Sequence, residues 1–369
     1  MSSEEHRDGR VVSALTFVGT IVGLIVLIGL ILAFDLVLAR IDHGASERVA
    51  AGEYRRGREL LGAGHPGDAI DHFENAAMTE RSNIGYGLAL GEAQRRAGQL
   101  AEAEVTLRAL LEGAENDGAV NLALAHVATQ RGSLAEAKAY YHRAIFGRWG
   151  ADSTASRRQA RFDLIGLLAS NGSSRELLAE LLPFEDVSPD SIALRRRLGS
   201  WFLLAGSPVR AANMFREVIR SDPNDAQAYA GLGEAALTQG NFRTARADFA
   251  TAAGLDSVDS AVLERRALAD SLIAADPTAR GINGAERDRR VVALLSRTMA
   301  IADSCLPHGS PAADSARAAL LPGSRSSGNE AVADRALAAA TALWNAFGGD
   351  CRARAGNEQL RLLFNRVAP

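Results

Sequence analysis

Lysine is almost absent from this sequence: Lys138 is the only one among 41 basic residues. The bias toward arginine reads as a high-GC coding preference, not as arginine-based recognition. Cysteine is nearly as scarce. Two residues, Cys305 and Cys351, exclude a disulfide-dense scaffold and a four-cysteine metal site, and no C-x-x-C-H is present for covalent haem. A net charge of −3 over 369 residues leaves no electrostatic footprint for nucleic acid. The seven histidines lack ligand spacing; there is no H-E-x-x-H, and Cys305-Leu306-Pro307-His308 has no second pair. Neither a metal nor a cofactor is therefore expected. Phosphate-loop and nucleophile-elbow motifs are also missing. Gly85-x-Gly87-x-x-x-Gly91 has no strand before it and falls inside a helical stretch, so it reads as helix packing. Asp71, Glu74, Glu102 and Glu104 fall where a solvated helix face would be. No strand signal exceeds a few residues, and an all-α chain is expected.

What the sequence does have is one phrase written six times. Leu198-Gly199 is followed by Gly206, Ala211, Phe215 and Val218; Leu232-Gly233 is followed at the same offsets by Gly240, Ala245, Phe249 and Ala252. Upstream copies are Gly57, Gly64, Ala69, Phe73, Ala76; Leu90-Gly91, Gly98, Ala103, Leu107, Leu110; and Leu124-Ala125, Gly132, Ala137, Tyr141, Ala144. A degenerate fourth copy reads Leu164-Ile165, Gly172, Leu177, Leu181, Phe184. The alanine-equivalent positions 69, 103, 137, 177, 211 and 245 are 34 residues apart except for one step of 40, and the extra residues fall around 146–156. In each copy the first residue or pair falls on one helix, the glycine in a turn and the last three on a second helix. Small residues let two helices approach closely, and a glycine suits the left-handed residue that ends a helix. One such pair cannot bury its apolar face alone, so copies must stack.

The period and the small/large pattern over residues 50–257 resemble the tetratricopeptide (TPR) repeat, a helix–turn–helix unit. No copy has the family's tryptophan early in its first helix, and the closing proline survives only as Pro189 and Pro223. The resemblance implies an α-solenoid whose first helices line a concave surface. The inward positions would be Tyr54, Arg58, Glu92, Arg95, Arg96 and His126. Further along they would be Gln130, Phe162, Arg196, Ser200, Gln227 and Glu234. This mixed set suits a protein segment, with arginine and aromatic anchors. The Lys/Asn carboxylate clamp of chaperone-binding members is absent. Each position equally fits plain helix surface.

Val11–Phe34 is a run of 24 residues without a charge. At 1.5 Å per residue it is about 36 Å long, enough to cross roughly 30 Å of hydrocarbon. A cleaved signal peptide would have a much shorter apolar region. Ser13, Thr16, Gly19, Thr20 and Gly23 make a small, polar stripe at helical spacing, which favours helix packing in lipid, although glycine is also simply common there. Arg7 and Arg10 precede the run, while Arg40, Arg48, Arg55, Arg56 and Arg58 follow it. The charge count alone would keep the large domain cytoplasmic. Long domains translocate largely regardless of charge, and the plan of short tail, anchor and large domain favours the periplasmic, extracytoplasmic side.

After the repeats the pattern stops. Helices are expected at 257–274, 286–302, 312–321, 329–347 and 357–367, with loose links at 307–311 and 322–328. Cys305 and Cys351 lie at helix ends in this region. A bond there would close a loop of about 47 residues and staple the region; two unrelated buried thiols are the other reading. The organisation is thus a polar tail (1–10), a transmembrane helix (11–38), repeats one to three (50–147), repeats four to six (158–257) and a C-terminal helical cap (258–369).

The resulting expectation is not an enzyme. It is a membrane-anchored scaffold or accessory subunit that touches the bilayer through 11–34 and binds a membrane-embedded or membrane-associated protein complex. Secretion, envelope assembly and energy transduction fit alike. Two alternatives stay open: an enzyme with an unrecognised site within 285–369, and a scaffold self-associating through Gly19 and Gly23. One fractionation checks both anchor and compartment. Carbonate washing should leave the intact chain in the membrane pellet. Its cysteines, denatured without reductant, should resist thiol labelling; release into the wash or two free thiols would contradict the reading.

Overall fold

The computed structural model describes residues 27, 29–36, 44–150, 153–171, 173–186, 191–256, 259–307, 309–321 and 330–367. Residues 29–36 are helical. Most of the expected 11–34 span, with Ser13, Thr16, Gly19, Thr20 and Gly23, lies outside the described residues, as do Gly172, Pro189, His308 and the 322–328 link. Among the described residues no helix is long and apolar enough to cross a membrane. The chain forms two compact units, residues 1–164 and 165–369.

The first unit is a series of antiparallel helix pairs. Helix α1 (44–62) precedes α2 (Pro66–Thr79); α3 (Ile84–Arg96) pairs with α4 (Leu100–Leu111), and α5 (Gly118–Gln130) with α6 (Leu134–Phe146). Helix α7 (Ser153–Ser170) carries the division between the units. The turns follow from the glycines. Gly64, Gly98 and Gly132 hold φ of +84°, +82° and +75°. At the α3 end, Gln99 N–H donates to the Gln94 carbonyl and Gly98 N–H to Arg95, the double bond of a Schellman cap. The first helices start differently: the Asn83 and Asp117 side chains accept from the first-turn N–H groups of α3 and α5, each satisfying otherwise orphaned donors.

Packing rests on the small positions. A Cβ built on Gly57 would stand 2.7 Å from the Phe73 ring, and one on Gly91 would stand 2.7 Å from Leu107. Gly87 is likewise filled by Leu110, which makes the Gly85–Gly91 stretch helix packing inside α3. Glu104 departs from the expected solvated face. Asp71, Glu74 and Glu102 are exposed, but the Glu104 side chain is 15% exposed beneath Arg108 and Arg131, which both pair with it. The arginines come from its own helix and from the next turn, and they draw the carboxylate in.

The extra residues between copies three and four form a strap. Arg148 N–H donates to the Asn116 carbonyl, and Gly118 N–H to the Arg148 carbonyl, at 2.7 Å each. The Trp149 ring covers Gly118, and its Nε1 donates to the Ala144 carbonyl at 2.8 Å. The insertion is therefore stitched to the start of α5 by two backbone bonds.

The second unit continues with α8 (Ser174–Glu185), then α9 (Ile192–Leu204) paired with α10 (Pro208–Ser221), and α11 (Ala226–Thr238) paired with α12 (Phe242–Leu255). Gly206 and Gly240 repeat the positive φ, at +71° and +73°. A Cβ built on Gly199 or Gly233 would stand 2.8 Å from the Phe215 ring or 2.7 Å from the Phe249 ring. Helix α13 (Ser260–Ala275) packs on α12. The cap comprises α14 (Gly284–Ala300), α15 (Ala302–Cys305), α16 (Pro311–Leu320), α17 (Glu330–Ala346), α18 (Gly349–Ala353) and α19 (Glu358–Val367). Its core of Leu294, Leu295, Leu343, Trp344, Phe347, Leu363 and Phe364 is continuous with Leu237, Phe242 and Phe249 of the last repeat. Trp344 stacks on Phe364 with centroids 4.9 Å apart. Cys305 and Cys351 are joined as a disulfide with Cα atoms 5.8 Å apart, tying α15 to α18.

Substitutions at the small positions should separate packing from propensity. Gly199→Leu or Gly233→Leu forces a branched side chain into a phenyl ring and should cost on the order of 1–3 kcal/mol or more. Gly52, inside α1, has nothing within 4 Å of a built Cβ; Gly52→Ala should gain about 0.5–1 kcal/mol of helix propensity. Chemical denaturation checks both, and equal midpoints for all three variants would contradict the pairing.

Candidate functional site

Helices in successive repeats stand one period apart, so side chains on neighbouring first helices meet when they are 30–40 residues apart in sequence. In the first unit this occurs at two places. On α3, Arg95 grips Glu92 with Nε and Nη2 at 2.8 Å each, and reaches Gln130 Oε1 on α5 at 3.2 Å through Nη1. Arg96 Nε donates to the same Glu92 carboxylate at 2.5 Å. On α5, His126 Nε2 lies 2.9 Å from Asp163 Oδ2 on α7, whose other oxygen accepts from Gln159. At the array start, Tyr54 packs between Phe73 and Tyr86 with centroids 5.7 and 5.0 Å away, and the Arg58 guanidinium stands 6.0 Å over its ring. Phe162 is half-buried on α7.

The second unit repeats the arrangement. Arg196 on α9 reaches Gln227 Oε1 and Asp225 Oδ2 at the start of α11, each at 3.0 Å. Ser200, one turn along α9, returns its hydroxyl to the Arg196 carbonyl at 3.3 Å. Glu234 on α11 receives two bonds from Arg265 on α13, at 2.5 and 2.6 Å. Arg265 also donates to Glu358 on α19 at 2.8 Å. The cap thus takes hold of the last first-helix contact.

Every expected partner-facing residue lies on a first helix, and Glu92, Arg95, Arg96 and Gln130 form one cluster. The counterparts Asp163, Asp225, Arg265 and Glu358 were not singled out from the sequence. The usable signal for Asp163 and Arg265 is separation, 37 and 31 positions from residues of complementary type; Asp225 and Glu358 fall outside that spacing. Among the described residues no group of three or more His, Cys, Asp or Glu is placed to hold a metal ion.

Charge state follows from this geometry. Burial opposes ionisation of Glu92, but the hydrogen bonds and positive charge of Arg95 and Arg96 outweigh it and hold the carboxyl below its ordinary value. Its Glu92 bond in turn raises Arg95. Burial opposes the charge on Arg265, yet the bonds to Glu234 and Glu358 leave it raised. A carboxyl whose folded pKa is depressed stabilises the fold above its unfolded value, and that contribution disappears as pH falls through the folded pKa. Glu92→Gln should therefore lower stability at neutral pH. The gap should close as pH drops from about 4.5, the ordinary value, through the lower folded pKa. Denaturation midpoints at neutral and acid pH check this; a gap that widens in acid would contradict it.

Residues 60–127 and 198–261 each match a family model for the tetratricopeptide repeat. Among the curated proteins none matches the sequence. Several solved structures are similar. YrrB, titled a TPR protein with an unusual peptide-binding site, is 15% identical with a TM-score of 0.46, over 53% of this chain and 97% of that one. The C-terminal part of a TPR repeat-containing protein from Cytophaga hutchinsonii is 14% identical with a TM-score of 0.48, over 66% and 94%. PilW, titled a widely conserved type IV pilus biogenesis factor, is 19% identical with a TM-score of 0.43, over 58% and 97%. Residues 60–127 and 198–261, both built of helix pairs with glycine turns, are thus the segments similar to tetratricopeptide repeats.

Proposed function

We propose that the protein is a single-pass membrane scaffold or accessory subunit whose repeats hold a protein partner, itself part of a membrane-associated complex. The observation that carries this reading is the set of half-buried charged and amide side chains that, within each unit, link one first helix to the next. These groups are oriented by their mutual bonds and still partly open; the Arg95 and Glu92 side chains are 24% and 28% exposed. Oriented arginines beside partly exposed aromatics are the composition of protein-binding anchors. The uncharged run at 11–34 supports an anchor. The disulfide supports an extracytoplasmic location for the second unit, since such bonds persist in oxidising compartments.

Capture of the native partner from mildly solubilised membranes tests the face. Charge reversal at Arg95 and Arg96 should reduce capture roughly tenfold or more, as loss of an interface anchor does. Arg108, on α4, pairs with Glu104 and Glu136, and Arg108→Glu should matter less. Far-ultraviolet melting of each variant confirms that the fold survives. Equal losses at both places would move the interface off the first-helix face.

A further inference from the structure

The turn between α11 and α12 opens into a cleft of about 360 Å³ that has no part in the first-helix row. Three arginines from three separate segments line it: Arg243 on α12, Arg280 in the turn after α13, and Arg366 on α19. Gly240 sets the position of Arg366. A Cβ on that glycine would come within 3.0 Å of Arg366 Cβ and 3.1 Å of its Cδ, so the arginine stem runs flush against the turn. Arg243 Nη2 donates to the Arg280 carbonyl at 3.4 Å, which holds these two segments together at the rim.

The only acid lining the cleft is Asp276, and it is largely committed. Its Oδ1 accepts from both the N–H and the hydroxyl of Thr278 at 2.7 Å, and its Oδ2 lies 3.9 Å from Arg366 Nε. Among the described residues, Arg243 and Arg280 form no ion pair. Arg95, Arg196 and Arg265 on the first-helix row are each matched to a carboxylate. Three arginines and one acid line the cleft, which leaves an excess of positive charge in a concave place, where walls of one sign focus the field on an anion. The first-turn N–H groups of α12 add donors, because Asn241 makes no side-chain cap bond. Other second helices share that feature; the arginines single out this turn.

We infer that this cleft is a binding site for a phosphate group. Three arginines offer more donors than the two oxygens of a carboxylate can use, and a phosphate monoester brings three free oxygens and more charge to meet them. The phosphate is carried either by a small soluble molecule or by a lipid headgroup, and the chemistry of capture is the same.

Thermal melting of the full chain in detergent tests this, with phosphate replacing chloride at equal ionic strength. At about ten times Kd, a ligand bound only by the folded state should raise the melting temperature by about 3 °C. A second arm uses micelles doped with phosphatidic acid in place of phosphate. A rise with inorganic phosphate assigns a soluble ligand; a rise only with phosphatidic acid assigns a headgroup. Arg243→Gln and Arg280→Gln, both at exposed positions, should abolish the rise. Arg246→Gln should not, since Arg246 pairs with Asp270 instead. No rise in either arm, or an undiminished rise in both cleft variants, would overturn the assignment.

Discussion

Everything in the repeats depends on how closely the two helices of a pair can approach. Four first helices carry a glycine where the second helix places a ring or a leucine: Gly57 under Phe73, Gly91 under Leu107, Gly199 under Phe215 and Gly233 under Phe249. One of these aromatic side chains serves two interfaces. Phe215 lies over Gly199 of its own pair and also over Gly231 of the next first helix. One ring therefore sets both the spacing within a repeat and the spacing between repeats. Dense interiors leave little slack for such a ring, and its two glycines are as necessary as the ring itself.

The polar row on the first helices is a consequence of that spacing. Arg95 meets Gln130, Arg196 meets Gln227, and Arg265 meets Glu234 because consecutive first helices stand at the distance the core imposes. Partly exposed ion pairs of this kind contribute little to stability. Their effect is orientational: guanidinium groups are fixed in place before any partner arrives, which lowers the entropy lost on binding.

The repeats were legible in the sequence because their constraints are local and periodic. Gly64, Gly98, Gly132, Gly206 and Gly240 all take the left-handed conformation that their place after a helix implies. The longer cap helices are legible as apolar stretches, with boundaries within a few residues of those observed, whereas the short helices α15 and α18 carry no periodic signal. The strap at 146–150 was visible only as a length anomaly, since its backbone bonds to Asn116 and Gly118 depend on tertiary neighbours. The same limit applies to the site. Residue types on the first helices could be named, but Asp163, Arg265 and Glu358 enter through contacts 37, 31 and 93 residues away. Glu104 illustrates the converse: its spacing marks it as surface, and only the turn carrying Arg131 shows why it is covered.

The seating of α19 has a consequence for assembly. A repeat array left open at its end presents the same kind of apolar face that joins its own repeats, and a second chain could stack there head to tail. Such a contact is heterologous and does not close on itself, so it propagates into filaments. Leu360, Leu363 and Phe364 fill that face from within the same chain, and Glu358 adds a second carboxylate to the half-buried Arg265. The disulfide ties α18, immediately before α19, to the rest of the cap. Within the second unit, α19 therefore occupies the place where a further repeat would otherwise stack.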